Sequence, residues 1–148
     1  MSLKESITAD MKDAMRAKDS ARLGSIRMLQ AAIQRREVDE RITLDDAQVL
    51  SVVEKIIKQS HDAADQFAKA GRKDLADKEN ADIAVWQKYL PEPLGDAEID
   101  KLIAEAMTAS GASSMKDMGK VMGILKPQIQ GRADMGAVSA RIKAKLGG

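Results

Sequence analysis

The sequence predicts an all-α protein of two multihelical subdomains, an N-terminal four-helix bundle and a smaller C-terminal three-helix cluster. Three observations carry this. Apolar residues recur at spacings of three and four along nearly the whole chain, the period of one helix face. The composition is rich in Ala, Met, Lys, Glu and Asp, with one Phe, one Tyr and one Trp among 148 residues, and its β-branched residues are scattered rather than alternating. Finally, Leu90-Pro91-Glu92-Pro93-Leu94-Gly95 places two prolines and a glycine in six residues, where a helix must break. The expected division is 1–90 for the bundle, 91–95 for a linker and 96–148 for the C-terminal subdomain.

In the N-terminal part, Ser2 and Glu5 have the spacing of a capping box, and Leu3, Ile7, Met11, Ala14 and Met15 form one stripe that ends near Lys18. Asp19 or Ser20 can cap a second helix reaching about Glu40. Its inner stripe is Leu23, Ile26, Leu29 or Met28, and Ile33, and its outer face carries Arg22, Arg27, Arg35, Arg36, Glu37 and Asp39. Thr43 with Asp46 signals the next cap. The third helix has the longest apolar stripe, Val49, Leu50, Val53, Ile56, Ile57, Ala64, Phe67 and Ala68, and Gly71 suits its C-terminal end. A fourth helix, about Asp74 to Tyr89, aligns Leu75, Ile83, Trp86 and Leu90.

Beyond the prolines, Asp96 is expected to cap a fifth helix with Ile99, Leu102, Ile103, Ala106 and Met107 inward and Gly111 at its end. A sixth begins at Ser113 or Ser114, buries Met118, Val121, Met122, Leu125 and Ile129, and ends at Gly131. Asp134 caps a seventh bearing Met135, Val138, Ile142 and Leu146.

Composition removes several chemistries. Without cysteine there is no disulfide, thiolate metal site or cysteine nucleophile, and the single histidine, His61, rules out a multi-histidine site. No cofactor is expected. No apolar run approaches the roughly 20 residues of a membrane span, and the N-terminus has acids among its apolar residues, unlike a signal peptide. A soluble cytoplasmic protein with no membrane partner is the expectation. The formal net charge of +1 conceals an asymmetry: residues 91–106 hold five acids against Lys101, whereas residues 107–148 hold seven bases against Asp117 and Asp134.

The basic segment, Ser113 to Leu146, is where a functional surface is expected. Gly119 and Gly123 lie on one helical face, and each costs a helix about 1 kcal/mol relative to alanine. Three readings are open: a close helix crossing, a main chain exposed to a phosphate or sugar, or helix irregularity near Pro127. Lys116, Lys120, Lys126, Arg132, Arg141 and Lys143 are either a phosphate-facing patch or ordinary solvated cations. The scarcity of aromatics argues against base stacking on single strands, so RNA binding would be to duplex or tertiary shape. Ser113, Ser114 and Lys116 lack an adjoining oxyanion segment and read as a helix cap. His61 reads as a surface residue and Trp86 as a core anchor. Paired acids such as Asp45 and Asp46, or Glu37 and Glu40, sit in caps and solvated faces. No catalytic constellation is found.

The segments Arg22-Leu23-Gly24-Ser25-Ile26-Arg27-Met28-Leu29, Tyr89-Leu90-Pro91, Asp117-Met118-Gly119-Lys120-Val121-Met122-Gly123 and Gly131-Arg132-Ala133-Asp134 resemble the YqeY family. That family is related to the tail domain of the B subunit of the aspartyl/glutamyl-tRNA amidotransferase. One departure is that Met135 separates Asp134 from Gly136, where many members place glycine directly after the aspartate. The resemblance implies two all-α subdomains and a link to tRNA. It also implies, by homology alone, carbon-nitrogen ligase activity with glutamine as amide donor, which these residues do not support by themselves. Carried over residue by residue, the tRNA-facing motif falls on Gly119, Lys120, Gly123, Gly131 and Arg132. The expectation is a tRNA-binding or amidotransferase-associated module without its own active site. The alternatives are an accessory part of a glutamine-dependent ligase, partnered by an amidotransferase or tRNA-synthetase-type protein, and a protein-interaction adaptor with no RNA role.

Overall fold

The computed structural model describes residues 1–147, which form seven α-helices and one 3-10 turn. The protein is all-α, and the chain divides into two compact units, Met1–Leu90 and a second from Pro91 onward.

The first unit contains α1 (Leu3–Arg16), α2 (Ser20–Glu40), α3 (Asp46–Lys69) and α4 (Lys73–Gln87). Ser2 and Glu5 close the capping box at α1: the Ser2 hydroxyl accepts from the Glu5 N–H at 3.2 Å, and the Glu5 carboxylate accepts from the Ser2 N–H at 2.9 Å. Asp19 caps α2 by accepting from the Arg22 N–H at 3.1 Å. At α3 the cap is Asp45, not Thr43. Asp45 and Gln48 exchange side-chain-to-backbone bonds of 2.8 and 3.0 Å, the reciprocal pair of a capping box. Asp46 is freed by this to accept from the Leu3 N–H at 2.9 Å, which pins the start of α1 to the start of α3. Gly71, at φ 73°, turns the chain from α3 into α4.

Ile7, Ile26, Leu29, Val49, Val53 and Trp86 are fully buried at the centre of this unit, and each contributes about 1.5–3 kcal/mol on burial. Leu29 faces inward and Met28 outward; Ala68, expected in the core, is exposed, and Val52 is buried in the α3 stripe. The Trp86 indole N–H donates to the Ser25 carbonyl at 2.7 Å, and the Ser25 hydroxyl donates to the buried Asp82 carboxylate at 2.6 Å. Lys78 reaches the other Asp82 oxygen at 3.1 Å. Bonding of this kind is what makes a buried carboxylate tolerable.

The second unit contains α5 (Asp96–Ser110), the 3-10 turn Met115–Asp117, α6 (Met118–Ile129) and α7 (Met135–Gly147). Its core is Ile99, Ile103, Ala106, Val121, Leu125, Ile129, Val138 and Ile142, ringed by part-buried Met107, Met118, Met122 and Met135. Gly95, not Asp96, occupies the N-cap position of α5, and Asp96 is its first helical residue. The segment 91–95 is tied into this unit: the Leu94 N–H donates to the Arg132 carbonyl at 2.8 Å and the Arg132 Nε–H donates to the Glu92 carbonyl at 2.9 Å. Ser113 and Ser114 do not begin α6. The Asp117 carboxylate instead accepts from the Ser113 N–H at 3.1 Å, holding a 3-10 turn ahead of the helix. Pro127 lies inside α6 without ending it. No helix among the described residues is long and apolar enough to cross a membrane.

Candidate nucleic-acid interface

The geometry of α6 follows from its apolar spacing. Val121, Leu125 and Ile129 recur every four residues and are completely buried, so the residues half a turn away must face outward. Those are Gly119, Lys120, Gly123, Lys126 and Pro127, all exposed. A Cβ built on Gly119 or Gly123 would meet nothing within 4 Å. Within this unit, therefore, the glycines do not accommodate a crossing helix. They leave a bare strip of main chain flanked by two ammonium groups. Pro127 adds to it, because it has no N–H to give the Gly123 carbonyl one turn earlier.

The sequence-predicted cations sort into three groups. Lys116, Lys126 and Lys143 are exposed and have no ion partner among the described residues. Lys120 is also exposed, and its one ion pair among the described residues, with Asp117, is long at 3.9 Å. Arg132 and Arg141 are committed elsewhere. Arg141 bridges Asp96 at 2.6 Å and Asp100 at 3.1 Å, joining α7 to the start of α5 and neutralising its charge locally. Arg132 holds the Glu92 carbonyl. Gly131 is buried at φ 77° and serves as the left-handed end of α6, so its place in the motif is explained by the turn rather than by an exposed surface.

Asp117 was not among the expected site residues, yet it organises the entry to this face. The Ser113 backbone N–H holds its carboxyl below the ordinary 3.8, against a desolvation penalty, with help from the Ser114 N–H and from Lys120. The signal available in sequence was its position one turn before Lys120 and directly before α6. Among the described residues, no three His, Asp or Glu side chains converge as a metal site.

The motif residues in the first unit also resolve into structure. Arg22 approaches Asp10 at 3.8 Å, and the Tyr89 hydroxyl donates to the same carboxylate at 2.6 Å, so α1, α2 and the end of α4 meet at Asp10. Burial first, and the bond to Asp10 second, push the Tyr89 phenol well above its usual 10.

An all-helical chain of two compact units with an exposed glycine-lysine helix in the second defines a helical module. It matches one family model, that of Yqey-like proteins, over residues 4–146, and the chain belongs to this family. It is similar to the altered inheritance of mitochondria protein 41 of Pyrenophora tritici-repentis, at 35% identity over 95% of this chain and 79% of that protein. The proteins of the same name from Lachancea thermotolerans and Eremothecium gossypii are 31% and 34% identical, over 75% and 70% of this chain. The chain spans 63% and 60% of the length of those two. All three relatives are named as mitochondrial, which points to the mitochondrion and overturns the cytoplasmic expectation. The reason it failed is physical: neither a cysteine-free composition nor the lack of a long apolar run distinguishes the cytosol from the mitochondrion.

Proposed function

We propose that this protein is a non-catalytic helical module that binds folded tRNA through its sugar-phosphate backbone, using the outer face of α6. One observation carries the reading: Gly119 and Gly123 leave the main chain of α6 uncovered between Lys120 and Lys126, at a cost in helix stability that no packing contact within the unit offsets. A surface of that kind lets a phosphate or a ribose approach the backbone closely while ammonium groups neutralise its charge. Lys116 and Lys143 extend the cationic supply, whereas Arg132 and Arg141 act mainly as struts for the unit. The scarcity of aromatic side chains supports shape recognition over base stacking.

The test is fluorescence polarisation with labelled folded tRNA and an unstructured oligonucleotide of equal length. Four lysine contacts give an affinity that falls by roughly an order of magnitude or more between low and physiological salt. Folded tRNA should bind more tightly than the unstructured strand. Absence of tRNA binding at low salt refutes the proposal.

A further inference from the structure

A second surface lies on α2, and it has different chemistry. The outer side of the helix sets exposed apolar residues among its charges. Its inner residues Ile26, Leu29 and Ile33 fill the core, but Met28 and Val38 on the outer side are 48% and 67% exposed. Gly24 and Ala31 are exposed on that side too, and the space where a Gly24 Cβ would stand is open. The four arginines of α2 divide in the same way. Arg22 pairs with Asp10, and Arg36 pairs with Glu40 at 2.7 Å and reaches the Gln48 carbonyl. Arg27 and Arg35 are exposed and have no ion partner among the described residues. They stand eight positions apart on either side of Met28 and Ala31, a separation of about 12 Å along the helix.

We propose that this face docks an acidic amphipathic helix of a protein partner, whose apolar stripe covers Met28, Ala31 and Val38 and whose carboxylates, two turns apart, engage Arg27 and Arg35. The charge pattern selects this occupant. A second copy of the chain laid along the face antiparallel would set Arg27 against Arg35 of the other copy, and a parallel one would set each arginine against itself; like charges so placed are strongly unfavourable. A phosphate backbone would satisfy the arginines but leave Met28 and Val38 facing charged oxygens. An apolar stripe bracketed by carboxylates satisfies both at once. The inference does not rest on the tRNA reading, which concerns α6.

The experiment uses the full chain and two labelled synthetic helices of about six turns. Both carry the same Leu/Ala stripe; one is flanked by Glu, the other by Lys. The acidic peptide should bind, and the basic one should bind at least about tenfold more weakly. The double variant R27E/R35E should reverse that order with only a small loss of thermal stability, because neither side chain has an ion partner to lose and the new repulsion within the helix is with exposed Asp39, one turn after position 35. Met28→Glu should weaken binding of the acidic peptide. Equal binding of both peptides, binding of neither, or an unchanged preference in R27E/R35E overturns the proposal. So does concentration-dependent dimerisation by sedimentation that Met28→Glu abolishes, which would make a second copy the occupant. Competition by tRNA that disappears in R27E/R35E would assign the face to nucleic acid and overturn it equally.

Discussion

Replacing Gly119 and Gly123 together by alanine tests the proposed interface most directly, because stability and binding should move in opposite directions. In α6 each glycine is exposed and each added Cβ enters open space, so no steric penalty enters. What remains is intrinsic helix propensity, about 0.5–1 kcal/mol per site in favour of alanine. The pair should therefore stabilise the second unit by about 1–2 kcal/mol, and a unit this small gains about 4–8 °C in melting temperature for each kcal/mol. Circular dichroism melts of the full chain read the gain, and tRNA polarisation reads the loss of backbone access. Gly131→Ala serves as the contrast: at φ 77° alanine is strained by about 1–2 kcal/mol, so that variant should melt lower. A destabilised G119A/G123A chain would mean the glycines are packed against something after all. Full stabilisation with unchanged tRNA affinity would remove α6 as the contact surface.

Lys120→Ala with Lys126→Ala should weaken tRNA binding at every salt concentration, lower the salt slope by about two and leave the circular dichroism spectrum unchanged; an unaltered slope would place the contacts elsewhere. Asp117 has a depressed carboxyl pKa in the fold, so its contribution is present above the unfolded value of 3.8 and is lost as pH falls through the lower folded value. Acid titration followed by amide exchange at Ser113 and Asp117 should show the turn before α6 loosening only in that acidic window, and Asp117→Asn should remove this pH dependence. The phenol of Tyr89, the single tyrosine, is shifted the other way: its contribution is present below the unfolded value of 10 and is lost as pH rises through the raised folded value. Ultraviolet titration should show phenolate forming well above 10, and Asp10→Asn should bring the midpoint down.

Local periodicity made the helices legible, since Ile7, Ile26, Val49, Val121 and Ile142 sit where a period of three to four puts them. Caps were less legible when two compete. Thr43 with Asp46 and Asp45 with Gln48 have the same spacing, and only the reciprocal side-chain bonds of the second pair decide between them. On α6, the shared face of Gly119 and Gly123 was readable because it depends on neighbours within two turns, but whether that face is packed or open was not, since only the tertiary fold leaves space around both glycines. The fate of the arginines was not. Arg132 meets Glu92 across 40 positions, and Arg141 meets Asp100 across 41 and Asp96 across 45, so their pairing is a property of the tertiary fold that charge patterning along the chain does not contain. For the same reason Asp82, ordinary in sequence, emerged as the buried partner of Ser25 across 57 positions.

The distribution of ring side chains between the two units has an optical consequence. Phe67, Trp86 and Tyr89 all belong to the unit that ends at Leu90, and the later unit packs only aliphatic and thioether groups. Indole emission thus monitors the first unit alone, through the bond of Trp86 to the Ser25 carbonyl, while the second is dark at that wavelength. A melt followed by emission and one followed by peptide ellipticity would coincide only if the two units unfold together, so this chain carries its own built-in probe of whether they share one cooperative transition.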